Sequence, residues 1–123
     1  MSLKDQPSFR TVRAPASYPR TTSAAVRYVP VLKGDTVLGY LWASVTDDAA
    51  QYVPRAQAGD DGLDAGIAWT RRLREAVADG LAPLEALARW AGEAEDERAG
   101  RVPPGTPFTL PDLSALEDLA ASG

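Results

Sequence analysis

Apolar positions first recur regularly from residue 24 to residue 45, AAVRYVPVLKGDTVLGYLWASV, with a Gly-Asp pair near the middle. β-Branched and aromatic side chains dominate this stretch, which predicts two strands over 24–32 and 36–45, joined as a hairpin. Gly34-Asp35 suits a two-residue type II′ turn, because glycine reaches the positive φ required at the first central position. That turn sets Lys33 against Thr36, Val31 against Leu38, Val29 against Tyr40 and Arg27 against Trp42. A three-residue Lys33-Gly34-Asp35 loop is the competing geometry, and it shifts every pairing by one.

In the two-residue register, one face carries Val26, Tyr28, Pro30, Leu32, Val37, Gly39, Leu41 and Ala43. The other carries Arg27, Val29, Val31, Leu38, Tyr40 and Trp42. Both faces are apolar, so the hairpin must be covered twice, by two layers or by one layer and a partner. Pro30 has no N–H to give to a ladder, which places its strand at an edge or interrupts the pairing there.

Thr46-Asp47-Asp48 reads as a turn. Residues 49–53 return as a third strand or form a single helical turn, and 55–62, RAQAGDDG, read as a loop. A helix is predicted over 63–79, with Leu63, Ile67, Thr70, Leu73 and Val77 on its core stripe and Trp69 and Ala76 flanking it. Arg71 and Glu75 are spaced to pair on the wet side. Gly80 suits the left-handed position after the last turn, with Leu81 as the apolar residue that follows it. Pro83 then opens a second helix over 83–91, with Leu84, Leu87, Ala88 and Ala91 inward and Trp90 also a core residue. The short link makes the pair a helical hairpin. Residues 93–98 form a solvated acidic loop, Val102-Pro103-Pro104-Gly105 a turn or extended segment, and 111–120 a short last helix with Leu110, Leu113, Leu116 and Leu119 on one side. Its LPDLSALEDL string has a leucine-rich-repeat look but no second copy upstream, and such repeats need neighbours to bury a core.

The fold expected is therefore α+β: a short antiparallel β-sheet, hairpin or three-stranded meander, packed on an α-helical hairpin, with a short C-terminal helix. At 123 residues the chain has room for one such domain, over 24–123, preceded by a basic, proline-rich arm over 1–23 that docks through Phe9 and Tyr18. Phe9 and Val12 could add one short strand there, but no apolar period is sustained.

Charge refines this picture. Residues 1–33 hold six basic groups and one acid, whereas the remainder holds seven basic and sixteen acidic groups. Such an arm meets nucleic acid, anionic lipid or its own acidic body; the scattered charges and a pI near 4.7 favour the last, or simple solvation. Nucleic acid is not expected as a partner, because no basic stretch is interleaved with aromatics. Arginine outnumbers lysine eleven to two and Ile67 is the lone isoleucine, a bias that a high-GC bacterial genome produces.

Histidine and cysteine are both absent. Their absence removes zinc-finger ligation, thiol redox chemistry and any serine or cysteine nucleophile activated by histidine. Lys4 and Lys33 stand near no plausible serine, and no phosphate-binding glycine loop occurs. Asp60, Asp61 and Asp64 do not fit a calcium loop, since Gly62 and Arg71 fall where ligands belong. Those aspartates suit a helix N-terminus instead. Arg71, Arg72 and Arg74 read as solvated helix surface or as partners of acids within the chain. No metal and no cofactor is expected.

What remains is recognition. Arg27, Tyr40 and Trp42 share a predicted face, with Arg27 placed to stack on Trp42, and aromatic residues are enriched at recognition surfaces. Tyr40 and Trp42 read more readily as large core residues, with a partner or ligand surface as the alternative. The function expected is a non-catalytic bacterial interaction or accessory domain whose hairpin face meets a protein partner or a second copy. The alternative is a small-molecule-binding domain or enzyme, with its site at the end of the second strand beside Asp47-Asp48. No apolar run approaches the roughly 20 residues of a membrane span. The default expectation is cytoplasmic, with a soluble domain of a longer, membrane-tethered protein as the alternative.

Overall fold

The computed structural model of the chain describes residues 17–122. Strands β1 (Val26–Lys33), β2 (Thr36–Ser44) and β3 (Ala50–Pro54) form an antiparallel meander, so residues 49–53 take the strand alternative. A fourth strand, β4 (Phe108–Leu110), adds to the other side of β1 and gives the order β3-β2-β1-β4. The fold is α+β, with helix α1 (Gly59–Ala78) and helix α2 (Pro83–Arg89) on one face of the sheet and α3 (Leu113–Ser122) on the other.

The predicted two-residue turn is present: Gly34 has φ +59° and Lys33 pairs with Thr36. Beyond Leu32 the register departs from expectation. Leu32 faces Val37, but Val31 faces Gly39, which leaves Leu38 as the extra residue of a β-bulge. The Leu38 carbonyl turns away to accept the Arg55 N–H at 2.9 Å. Gly39 is obligatory at this point, because a β-carbon there would enter the Tyr52 side chain and the Val53 carbonyl. One extra residue exchanges the faces of all that follows on β2. Val29 now lies opposite Leu41 and Arg27 opposite Ala43, while Tyr40 faces Pro30 and Trp42 faces Tyr28.

Pro30 fits without loss. The backbone of Leu32 points outward, exchanging both hydrogen bonds with Arg101, so the Pro30 nitrogen two residues earlier points the same way. β4 reaches only from Val26 to Tyr28, so Pro30 sits in the gap between the two contacts. The strand is internal but interrupted there.

Helix α1 begins four residues before the predicted start, because Asp60 and Asp61 favour its first turn despite the neighbouring glycines. Its buried residues are Gly62, Ala65, Trp69, Leu73 and Ala76, so the core stripe is rotated away from Leu63 and Ile67. The C-terminus closes as predicted. Gly80 has φ +78°, and the Leu81 and Gly80 amides bond the carbonyls of Ala76 and Val77, both at 3.0 Å. In α2 the Glu85 carboxylate accepts the Ala82 N–H at 2.8 Å, and the helix ends at Arg89 rather than at 91. Its inward residues are Pro83, Ala86 and Leu87 followed by Trp90, while Ala88 and Ala91 are exposed.

Two cores result. The larger joins Val29, Val31, Leu38, Leu41 and Ala43 of the sheet to Trp69, Leu73, Leu87 and Trp90. The smaller joins Val26, Tyr40, Trp42 and Ala49 to Leu113, Leu116 and Ala120. Tyr18 docks as expected, its hydroxyl donating to the Leu81 carbonyl at 2.6 Å; Phe9 lies outside the described residues. The acidic loop is more structured than its composition suggests. Asp96 accepts the Arg98 and Ala99 amides, and Glu95 accepts the Gly34 N–H at 2.9 Å.

Candidate functional site

Of the three predicted binding residues, two are core. Tyr40 is 8% exposed and Trp42 3%, both beneath α3. The bulge is the reason, since it turns them to the face that Leu113, Leu116 and Ala120 cover. Arg27 is exposed, but it projects from the opposite face of the sheet, between Ala43 and Thr109. The stack of Arg27 on Trp42 is therefore not formed, and the three residues share no surface. Arginine stacking occurs elsewhere: the Arg72 guanidinium lies 4.7 Å from the Trp69 ring, and Arg89 lies 5.6 Å from Trp90.

The aromatic cluster reaches solvent at the sheet edge. Tyr28 meets Tyr40 edge to face at 5.5 Å and stacks on Phe108 at 5.4 Å. Phe108 is 58% exposed. Prolines flanking β4 at 107 and 111 conceal this strand in the sequence.

The end of the second strand holds a different group of side chains from the one expected. The Ser44 hydroxyl accepts the Asp47 amide at 2.9 Å, which fixes the turn, and Thr22 reaches the Asp47 carboxylate. Asp48 faces an open cleft of about 790 Å³ beside the α1–α2 elbow, lined also by Tyr18, Arg20, Leu81 and Glu85. Arg27, Tyr40 and Trp42 are not part of it. Burial, and then the Glu85 charge, hold the Tyr18 phenol above its ordinary value. It stays a neutral donor, committed to Leu81.

The exposed apolar surface lies where the sequence placed core. Leu63 and Ile67, one turn apart on α1, are each 60% exposed. They belong to an outer ridge with Asp60, Asp64, Thr70, Arg71 and Arg74, and Ile67, Thr70, Arg71 and Arg74 border a shallow groove of about 370 Å³. The sequence holds a competing helical stripe, Gly62, Ala65, Trp69, Leu73 and Ala76, also spaced by threes and fours. Trp69 is the signal that distinguishes them, because its indole is the largest side chain on either stripe and, turned inward, packs on Trp90 and gives its N–H to the Ala99 carbonyl. The expected Arg71–Glu75 pair is not closed. Among the described residues the ion pairs are Arg72–Asp96, Arg89–Asp79 and Arg101–Glu95.

Among the described residues, no three Asp or Glu side chains stand together as metal ligands. No helix there is long and apolar enough to cross a membrane. No family model, curated protein or solved structure matches the chain.

Proposed function

We propose that the chain is a non-catalytic bacterial protein-interaction domain, with the outer face of α1 as its contact surface. The observation that carries this reading is the adjacent exposure of Leu63 and Ile67, two large apolar side chains on one helix turn, rimmed by charge. A helix of this kind presents anchors at i and i+4 to a partner, and the charged rim sets orientation. The missing histidine and cysteine, and a tyrosine at the Asp48 cleft already bound to a backbone carbonyl, favour recognition over catalysis. The arginine-rich, lysine-poor composition supports a bacterial source. The hairpin, proposed from sequence as the contact surface, gives way to α1 because both of its faces are covered from within the chain.

The test is paired substitution on the ridge. Leu63→Ser and Ile67→Ser, separately and together, should leave the circular dichroism spectrum and melting cooperativity intact while abolishing association with a partner or with itself. A wild-type chain that neither self-associates at high concentration nor retains a partner overturns the reading, as does association untouched by the double variant.

The cleft at Asp48 supports a second reading, a small-molecule site, since its volume lies within the range of ligand pockets. Its polar groups are Arg20, Asp48 and Glu85. Screening soluble metabolites for a rise in melting temperature that Arg20→Ala and Asp48→Ala remove would favour this reading over the first.

A further inference from the structure

We infer that the partner of the α1 ridge is a second copy of this chain, bound through antiparallel pairing of the two α1 helices about a two-fold axis at Ile67. This inference rests on the interaction reading above and specifies its occupant.

The ridge is polar at both ends, with opposite signs. Asp60 and Asp64 occupy its N-terminal part, Leu63 and Ile67 its middle, and Arg71 and Arg74 its C-terminal part, all of them exposed. Asp60, Leu63, Ile67, Thr70 and Arg74 follow one another at alternating intervals of three and four residues. That spacing keeps a seam facing a neighbouring helix. Among the described residues, none of Asp60, Asp64, Arg71 and Arg74 enters an ion pair within the chain.

Antiparallel pairing centred on Ile67 sets each Ile67 against its own copy. It places Asp60 of one chain beside Arg74 of the other, and Leu63 beside Thr70 and Arg71, where the shallow groove lies. A two-fold arrangement makes every such contact twice. The helix dipoles also oppose one another in this arrangement. Parallel pairing would instead set Asp60 on Asp60 and Arg74 on Arg74, with like charges in register. The charge order along α1 thus selects one arrangement. A contact through one helix per chain falls below about 1,200 Å² in total, the size of weak, reversible associations. Its rim charges are solvated, so salt should weaken it over a Debye length of about 10 Å at 0.1 M.

Sedimentation equilibrium of the full chain over a range of concentrations tests the pairing. The wild type should show a monomer–dimer equilibrium that shifts toward monomer as salt rises. Ile67→Asp sets two carboxylates face to face on the axis and should weaken dimerisation at least about ten-fold, as should Asp60→Arg or Arg74→Asp alone. The double variant Asp60→Arg/Arg74→Asp should recover dimerisation. So should an equimolar mixture of the two single variants, now as a mixed dimer. These sites are exposed, so every variant should keep the wild-type circular dichroism spectrum and a cooperative melt, with Asp60→Arg losing only the small favourable contribution of a carboxylate in the first turn of α1.

Failure of both the double variant and the mixture to recover association overturns the antiparallel pairing. So does a wild type that stays monomeric at high concentration, or one that dimerises only once residues 1–16 are removed, which would assign the ridge to that arm. Retention of a different protein that Ile67→Asp releases, with the wild type monomeric, would overturn self-pairing and leave the interaction reading standing.

Discussion

Gly62 of α1 lies against the carbonyl oxygen of Leu38, so close that a β-carbon at position 62 would stand 2.7 Å from it. The bulged carbonyl and the helix are in backbone contact, and this seats α1 on the sheet. Gly62→Ala should push the two apart and cost more than the gain of about 0.8–1 kcal/mol that alanine brings to a helix interior. Gly66 lies one turn further on, where the same β-carbon would meet only the Tyr52 ring at 3.4 Å. Gly66→Ala should therefore stabilise by about 0.4–1 kcal/mol. Urea unfolding of the two variants checks the contrast, and a stabilised Gly62→Ala would refute the contact.

Trp69 anchors the larger core. Its ring meets Trp90 edge to face at 5.2 Å, and its indole N–H donates to the Ala99 carbonyl at 2.9 Å. Trp69→Ala should cost about 3–5 kcal/mol, much of a small domain's stability. Trp69→Phe keeps an aromatic ring but leaves the buried carbonyl unpaired, for a loss of about 1–3 kcal/mol from that hydrogen bond. Thermal melts of both variants order these costs, and a Trp69→Phe midpoint equal to that of the wild type would remove the hydrogen-bond argument.

Helix α3 shields Tyr40 and Trp42. Leu116 is fully buried against them, and Leu116→Ala should cost about 2–5 kcal/mol. Removing residues 111–123 should bare the Val26, Tyr40 and Trp42 face, shift tryptophan emission to the red and bring on dye binding and association. A truncated chain that stays monomeric with unshifted emission would show that α3 is not the cover.

Alkaline pH should destabilise the protein. Burial raises the phenols of Tyr18, Tyr28 and Tyr52 above their ordinary value of 10.0, with Glu85 adding to the effect at Tyr18 and Tyr40 at Tyr28. Below pH 10 both folded and unfolded chains keep these protons, and the stability is fully present. Above it the unfolded chain releases them first, so stability falls as pH rises toward the folded values. Tyr52→Phe gives up its hydrogen bond to Gly62 but should flatten the fall between pH 10 and 11, read from urea midpoints.

At the acid end the sign reverses. The amides of Ala99, then of Arg98, hold the Asp96 carboxyl below its ordinary value of 3.8, with Arg72 and Arg71 assisting. Its contribution is present above that value and lost as pH falls through the folded one. Asp96→Asn should remove this part of the acid dependence, and an unchanged acid limb would count against it.

Local chemistry determined much of this protein. The Gly34-Asp35 turn, the alternation along β1, the glycine cap at Gly80 and the proline start at Pro83 each depend on residues within a few positions, so all are legible in the sequence. So is the need for two covers on the hairpin. Tertiary structure decided which residues meet. The bulge at Leu38 answers to Tyr52, Val53 and α1, none of them local, and it moved Tyr40 and Trp42 from a candidate binding face into the core. α1 offered two stripes of helical spacing, and burying Trp69 settled which faces inward. Leu63 and Ile67 became surface for that reason, since a helix can turn only one stripe to its sheet.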